Sequence, residues 1–199
     1  MDELLECAIA YQKLTDIAYH IILGRKGKLT ELQIHFEAVG FHHLIGLHKL
    51  KDLRIARANR EKVFQEILNG KITYQFVSQS KYFHLIEQRF PPFSNFESLL
   101  DHNQLVFRYN TKLNQFSLIE ADYLLSTPFG QNDIYIFLAK HDNAEWYFCR
   151  SFFPKEQKDY TLGQAIYTIL YKEKVCLSTG EVLVQYDHLT SADAKKTKI

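Results

Sequence analysis

The chain has 199 residues, of which 46% are hydrophobic and 24% charged, and its 24 Lys plus Arg against 23 Asp plus Glu leave a net charge of +1. Such a chain is globular and long enough to bury a core unaided; its near-neutral balance excludes a generic polycation that coats nucleic acid or an anionic membrane, but leaves room for a local basic site. Four Pro and eight Gly are too few for a disordered or fibrous protein, whereas 15 Phe, 12 Tyr and one Trp make the chain unusually aromatic.

The N-terminus, MDELLECAIAYQKL, opens on acids and has neither a basic segment nor an apolar stretch of the kind that marks a signal peptide. Its apolar spacing predicts a helix from Glu3 to Ile17. Ala18–Leu23 and Leu29–Phe36 then read as strands joined through Gly24–Lys28 (GRKGK), a hairpin with a basic tip. A helix is predicted from Gly40 or Phe41 to Leu53 and another from Ala58 to Leu68, stopped by Asn69-Gly70. Thr73–Ser80 is ambiguous, Lys81–Phe90 reads as helical up to Pro91-Pro92, and Ser94 with Glu97 has the capping-box spacing for a short helix over Phe96–His102. Six strands follow: Leu105–Tyr109, Leu118–Leu125, Ile134–Ala139, Trp146–Phe153, Ala165–Val175 and Val182–Tyr186. Turns are expected at Thr127–Gly130, His141–Asn143 and Ser178–Gly180. The change of texture near residue 103 predicts one α+β domain over residues 1–190, with N-terminal helices packed on a mainly antiparallel β-sheet, and a flexible polar tail at 191–199. Cys7, Cys149 and Cys176 are odd in number, far apart and without metal-ligand spacing, so no disulfide framework is expected and the cytoplasm is the natural setting. No apolar run approaches the length of a membrane span, and no membrane partner is expected.

Dinucleotide, P-loop, HExxH and GxSxG motifs are absent. The informative segment is Phe41–Asp52 (FHHLIGLHKLKD). On a helical wheel Phe41, Leu44, Ile45 and His48 share an apolar arc, and Asp52 lies one turn beyond His48, in place to orient it by a hydrogen bond. His42 and Lys49 fall on another face, and His43 lies near Leu47 and Leu50. Gly46 in a helix interior implies close approach by another element. His48 also fits a satisfied core histidine, and His42 with Lys49 a solvated polar face. Zinc is disfavoured, because neither His42 nor His43 stands four residues from His48 and no cysteine is near. Residues 24–62 hold nine basic side chains against four acidic ones, a local +5 that suits a phosphate-bearing partner. Within it, Arg25, Lys26 and Lys28 at the hairpin tip are phosphate-binding candidates, against the plainer reading of a solvated turn. Tyr and Phe in the second half are candidates for base stacking, though most such rings belong to a core.

Together GRKGKLTELQIHF, FHHLIGLHKLKD, ANREKVFQEILNGKITY, FSLIEADYLL, SFFPK and DYTLGQ resemble the fourth group of phage-associated nucleases in the barnase–EndoU–colicin–RelE superfamily. The combination of GRKGK with HLxGLHKL is the most specific part, and the match runs from the first helix to the last strand with no long additional domain. The resemblance implies helices against an antiparallel sheet, and metal-independent RNA cleavage without a cofactor by an effector or toxin of a phage or mobile element. It also implies an immunity or antitoxin partner. By position it makes His43, His48 and Lys49 catalytic. Arg25, Lys26 and Lys28 match the family's basic turn, and Phe153-Pro154-Lys155 and Tyr160-Thr161 its strand-end motif, so that Arg25, Lys26, Lys28 and Lys155 are phosphate- or RNA-binding candidates, to which the helix itself adds His42. In such chemistry a base frees the ribose 2′-oxygen to attack phosphorus, an acid protonates the leaving 5′-oxygen, and cations stabilise the phosphorane. The residues leave open which histidine is base and which acid. A noncatalytic RNA- or protein-binding module, or a binder of another phosphorylated ligand, is the alternative.

Overall fold

A computed structural model describes residues 2–114 and 117–189. Helix α1 (Glu3–Leu14) starts where the Asp2 carboxylate accepts the Leu5 N–H at 3.0 Å, and it buries Leu4, Cys7, Ala8, Tyr11 and Leu14. Strands β1 (Ile17–Arg25) and β2 (Lys28–Ile34) form the expected hairpin. Arg25 pairs with Lys28, so the turn is Lys26-Gly27, both at positive φ (50° and 74°), a conformation whose twist suits flanking strands.

The helix expected from Phe41 to Leu53 is broken. Helix α2 (Ala38–Leu44) stops at Gly46, which sits at φ 98° and donates its N–H to the His43 carbonyl; a single 3₁₀ turn, Leu47–Lys49, follows. Gly46 is the left-handed residue that ends a helix, and it is also the point of close approach that its composition implied. A Cβ there would lie 2.5 Å from Ile86 Cγ2 and 3.6 Å from Arg89 Cδ. Helix α3 (Arg60–Leu68) ends at Asn69-Gly70 as expected, and α4 (Tyr74–Ser78) resolves the ambiguous stretch. Lys81–Phe90 forms two 3₁₀ turns, Phe83–Leu85 and Glu87–Arg89, instead of a helix. Helices α5 (Phe90–Phe93) and α6 (Phe96–Asp101) follow, with Asn95 and not Ser94 at the N-cap of α6.

The strands are β3 (Leu105–Arg108), β4 (Tyr123–Phe129), β5 (Asn132–Lys140), β6 (Tyr147–Pro154), β7 (Ala165–Cys176) and β8 (Val182–Asp187). Strand β4 starts five residues later than Leu118 and runs on through Phe129, so the chain reverses at Gly130. The expected β5–β6 and β7–β8 hairpins are present.

The expected architecture of N-terminal helices on a mainly antiparallel open sheet is overturned. Seven strands close into a barrel in the order β1-β2-β6-β5-β4-β3-β7 and back to β1, with β8 added to the outer part of β7. The helices are short, and the sheet is mixed because β2 meets β6 in parallel through Ile34 and Tyr147, where the His35 N–H also donates to the Tyr147 carbonyl at 3.0 Å. The physical reason is long-range pairing. The N-terminal hairpin sits between β6 and β7, more than 100 residues away in sequence, and nothing in its own composition announces that. Closure removes the strand edges that an open sheet would have to protect. Alternate residues of β1 and β2 (Tyr19, Ile21, Leu23, Leu32, Ile34) join the apolar faces of α1–α6 in one core, while Phe107, Tyr109, Leu124, Tyr135 and Phe137 form a smaller cluster on the opposite face of β3–β5. The tail expected at 191–199 lies outside the described residues.

Two glycines separate backbone strain from packing. Gly27→Ala meets no neighbour within 4 Å and is expected to cost about 1–2 kcal/mol for its left-handed backbone alone. Gly46→Ala carries the same backbone cost plus a collision with Ile86, worth about 1–3 kcal/mol more. Denaturant midpoints at constant slope should rank Gly46→Ala clearly below Gly27→Ala, and equal midpoints would contradict the packing role.

Candidate active site

The break at Gly46 turns the chain so that His43, at the end of α2, and His48, in the following 3₁₀ turn, lie side by side. Their rings are stacked, with centroids 4.3 Å apart and planes 10° from parallel. They open onto a cleft of about 1100 Å³ that also receives Lys49, Arg89 and Arg150. Arg89 comes from the segment that presses on Gly46. It is 8% exposed, and its guanidinium donates to the Leu44 carbonyl at 2.8 Å, satisfying a carbonyl at the end of α2 and meeting the negative end of the helix dipole.

Arg150 owes its place to an irregularity in β6. Phe137 pairs with Ser151 and Leu138 with Cys149, so Arg150 is the extra residue of a β-bulge. Bulges re-aim a side chain that regular alternation would point elsewhere. The far wall is the segment that leaves β6, where the Asp159 carboxylate acts as a clasp. It accepts Tyr135 Oη at 3.1 Å, Thr161 N at 2.9 Å, Thr161 Oγ1 at 2.6 Å and Lys155 Nζ at 2.7 Å. The Lys155 ammonium, Thr161 and Tyr135 hold that carboxyl well below the usual carboxylate range. The clasp fixes the ends of the short loop that presents Glu156, Lys158 and Tyr160 to the cleft.

Burial, with positive charge added to it, governs the protonation of the pair. Burial, then Arg150, Arg60 and Arg89, push the His43 imidazole down to about 4. Burial, then His43, Arg89 and Lys49, push His48 down to about 3. Lys49 is lowered by burial and Arg89, against an opposing pull from Glu156, and burial lowers Arg89 to about 10. Both histidines are therefore neutral at pH 7. His48 Nδ1 is buried without a hydrogen-bond partner among the described residues, as is Nδ1 of His42. A neutral imidazole can accept a proton, and the surrounding cations can hold a bound anion.

Of the residues singled out from sequence, His43, His48 and Lys49 converge. His42 does not join them: it is buried, its Nε2–H donates to the Ile55 carbonyl at 2.8 Å, and it fastens the turn after the break. The expected His48–Asp52 bond is absent, because Asp52 accepts Ser80 Oγ at 2.5 Å and Lys81 N at 3.0 Å instead. Lys155 is paired with Asp159 and borders a separate depression beside Pro128 and Asp133. Arg25, Lys26 and Lys28 sit at the β1–β2 tip, where the Arg25 guanidinium lies 5.5 Å from the Tyr167 ring centroid, and none of the three lines the cleft. Arg89 and Arg150 were missed. The first stands in a segment whose pattern looks helical, the second in an ordinary strand. The one signal for Arg89 was Gly46, which demanded an unnamed neighbour.

Among the described residues no three His, Cys, Asp or Glu side chains gather into a metal-binding group, and no helix is long and apolar enough to cross a membrane. No curated protein and no solved structure matches the chain significantly. A family model described as phage-Barnase-EndoU-ColicinE5/D-RelE like nuclease4 matches residues 3–189, and the chain belongs to that family of phage-associated nucleases.

Proposed function

We propose that the cleft cleaves RNA by attack of the ribose 2′-oxygen on its own phosphodiester, with the His43–His48 pair moving the protons. The observation that carries this reading is the stacked, neutral histidine pair set in a cleft of cations. Two imidazoles this close, with Lys49, Arg89 and Arg150 beside them, cannot both be protonated. A phosphodiester brings the missing negative charge and favours a pair that holds one proton. The neutral ring then takes the 2′-OH proton as the 2′-oxygen bonds to phosphorus. The protonated ring gives its proton to the 5′-oxygen as that P–O bond breaks. The pair starts and ends with one proton, and the products are a 2′,3′-cyclic phosphate and a free 5′-OH. Lys49, Arg89 and Arg150 neutralise the charge that grows on the non-bridging oxygens. His42 serves by bracing the turn, and Lys155 by holding the clasp. The basic tip of Arg25, Lys26 and Lys28 extends the binding surface along a longer strand.

The test is incubation of the protein with total RNA, tRNA and single-stranded DNA, followed by mapping of the ends. RNA with cyclic-phosphate ends and uncut DNA are expected, since DNA lacks the nucleophile. Cleavage of DNA would refute the 2′-OH mechanism, and a folded parent that binds RNA without cutting it would make the cleft a binding module. His43→Gln and His48→Gln should each lose about 10²–10⁴-fold in rate at an unchanged melting temperature near neutral pH. Arg150→Ala, on the exposed bulge, should weaken RNA binding and flatten its salt dependence.

The depressed histidines also predict a pH dependence of stability. In the unfolded chain both rings bind a proton near the ordinary 6.5; in the folded one they do so only near 4 and 3. The unfolded state therefore holds more protons between those limits, and stability falls as pH drops through 6.5 towards 4. Melting temperatures should decline over that window and flatten above pH 7, with the double variant His43→Gln/His48→Gln losing part of the decline. NMR titration should place both rings below pH 5 when free and raise one of them on addition of a 2′-O-methyl oligoribonucleotide.

A further inference from the structure

The cleft has two chemically different ends, and the catalytic reading uses only one. Beyond Arg89 the lining turns apolar and aromatic through Phe153, Tyr160, Ile119 and Leu118. Phe153, Tyr160 and Ile119 lean on the smaller core cluster: Phe153 stacks at 22° on Phe137, and Tyr160 stands edge-on to Tyr135 and Phe137. Each keeps part of its surface open to the cleft. Leu118 is 97% exposed at the rim, and Leu85, from the opposite lip, is 46% exposed. Arg89 joins the ends. Its guanidinium carbon lies 5.8 Å from the Phe153 ring centroid, while its charge acts on His43, His48 and Lys49.

We propose that this apolar end is a nucleobase subsite: a base of the RNA whose phosphate meets the cations stacks on Tyr160, taking the place of the Lys158 ammonium that lies 4.9 Å from that ring's centroid, with Phe153, whose ring stands at 71° to Tyr160, at its edge and Leu118 covering it at the rim. The assignment rests on the nuclease reading above, because it takes the position of the phosphate from it. Its own support is continuity. The aromatic surface and the cationic surface belong to one cavity and share Arg89, and in a nucleotide the charged and the flat apolar parts are likewise adjoining. The Asp159 clasp fits the same purpose. It pins the residues on both sides of Tyr160, so the ring is already in place and little rotamer freedom is lost when a base arrives. Most of the abundant aromatic residues are core, as their burial shows; Tyr160 and Phe153 are the ones among the described residues that the cleft exposes. A base must be unpaired to reach them, so the substrate class is single-stranded or looped RNA.

The test uses three probes of one length: a 2′-O-methyl oligoribonucleotide, the same backbone with abasic positions, and the first probe annealed to its complement. The single strand should bind about tenfold more tightly than the abasic or duplex probe, within the range expected of one stacked base. Tyr160→Ala should remove that preference and leave abasic binding and its salt slope unchanged; Tyr160→Leu, which keeps apolar packing, guards against misfolding and should give an intermediate preference. If the parent binds all three probes equally, or if Tyr160→Ala weakens all three together, the subsite is wrong. If the parent binds none of them and cuts no RNA, the nuclease reading itself falls, an outcome distinct from the first two.

Discussion

The buried guanidinium of Arg89 is the interaction on which the site and much of its surroundings depend. It donates to the Leu44 carbonyl where α2 ends, and it reaches that carbonyl only because Gly46, one residue past the helix cap, has no side chain to hold the Ile86–Arg89 segment away. The same left-handed glycine ends the helix and folds His48 back onto His43. One backbone event thus sets three things at once: the stop of α2, the stacking of the two imidazoles and the depth at which a permanent positive charge lies beside them. A continuous helix over Phe41–Leu53 would have put His43 and His48 five positions apart on the wheel, about 500° of rotation, on different faces.

The barrel contributes the opposite wall. Closing the ring between β2 and β6 fixes β6 against the helices, where Phe152 packs on Phe93 and Phe96 with centroids 5.0 Å and 4.6 Å away. With that strand anchored, the bulge at Arg150 delivers a cation to the cleft and the continuation past Pro154 delivers the clasped loop. The division of labour is clear in the burial. Phe152 is fully buried and holds the strand, and its neighbours Arg150 and Phe153 stay open to the cleft.

What the sequence disclosed follows from range. Local signals held: the β1–β2 hairpin from GRKGK, the stop of α3 at Asn69-Gly70, and the two C-terminal hairpins all rest on turn chemistry within a few residues. His43, His48 and Lys49 were visible as a group because they are adjacent in the chain. The same adjacency misled the geometry, since apolar spacing at 3.6 residues favours an unbroken helix and Gly46 reads equally as a packing glycine and as a stop. In the structure it is both. Barrel closure depends on pairs as distant as Ile17 with Cys176, and the burial of Arg89 on the Leu44 carbonyl 45 residues before it, and no short-range pattern encodes either; the Arg150 bulge lies inside a local hairpin, but its register shift leaves no mark in the composition. The basic tip was legible as a hairpin but not in its distance from the histidines: none of Arg25, Lys26 and Lys28 lines the cleft.

The protein's own charges are poorly matched in the cleft. Glu156 is the carboxylate that acts on Lys49 and Arg89, and it is exposed, whereas the cations around His43 and His48 repel a proton from both rings. A protein selected for stability alone would pair the buried guanidinium with a carboxylate or replace it by an apolar side chain. The absence of such a pairing among the described residues keeps the cations available to an incoming anion and keeps both imidazoles in the neutral form, with a ring nitrogen free of a proton. The cost falls on the folded state, through burial of unbalanced charge and a His48 nitrogen without a partner among the described residues. The large shared core and the closed barrel are what make that cost tolerable. In this fold the rigid apolar mass and the polar cleft of unbalanced charge are therefore complementary, and the first is the condition for the second.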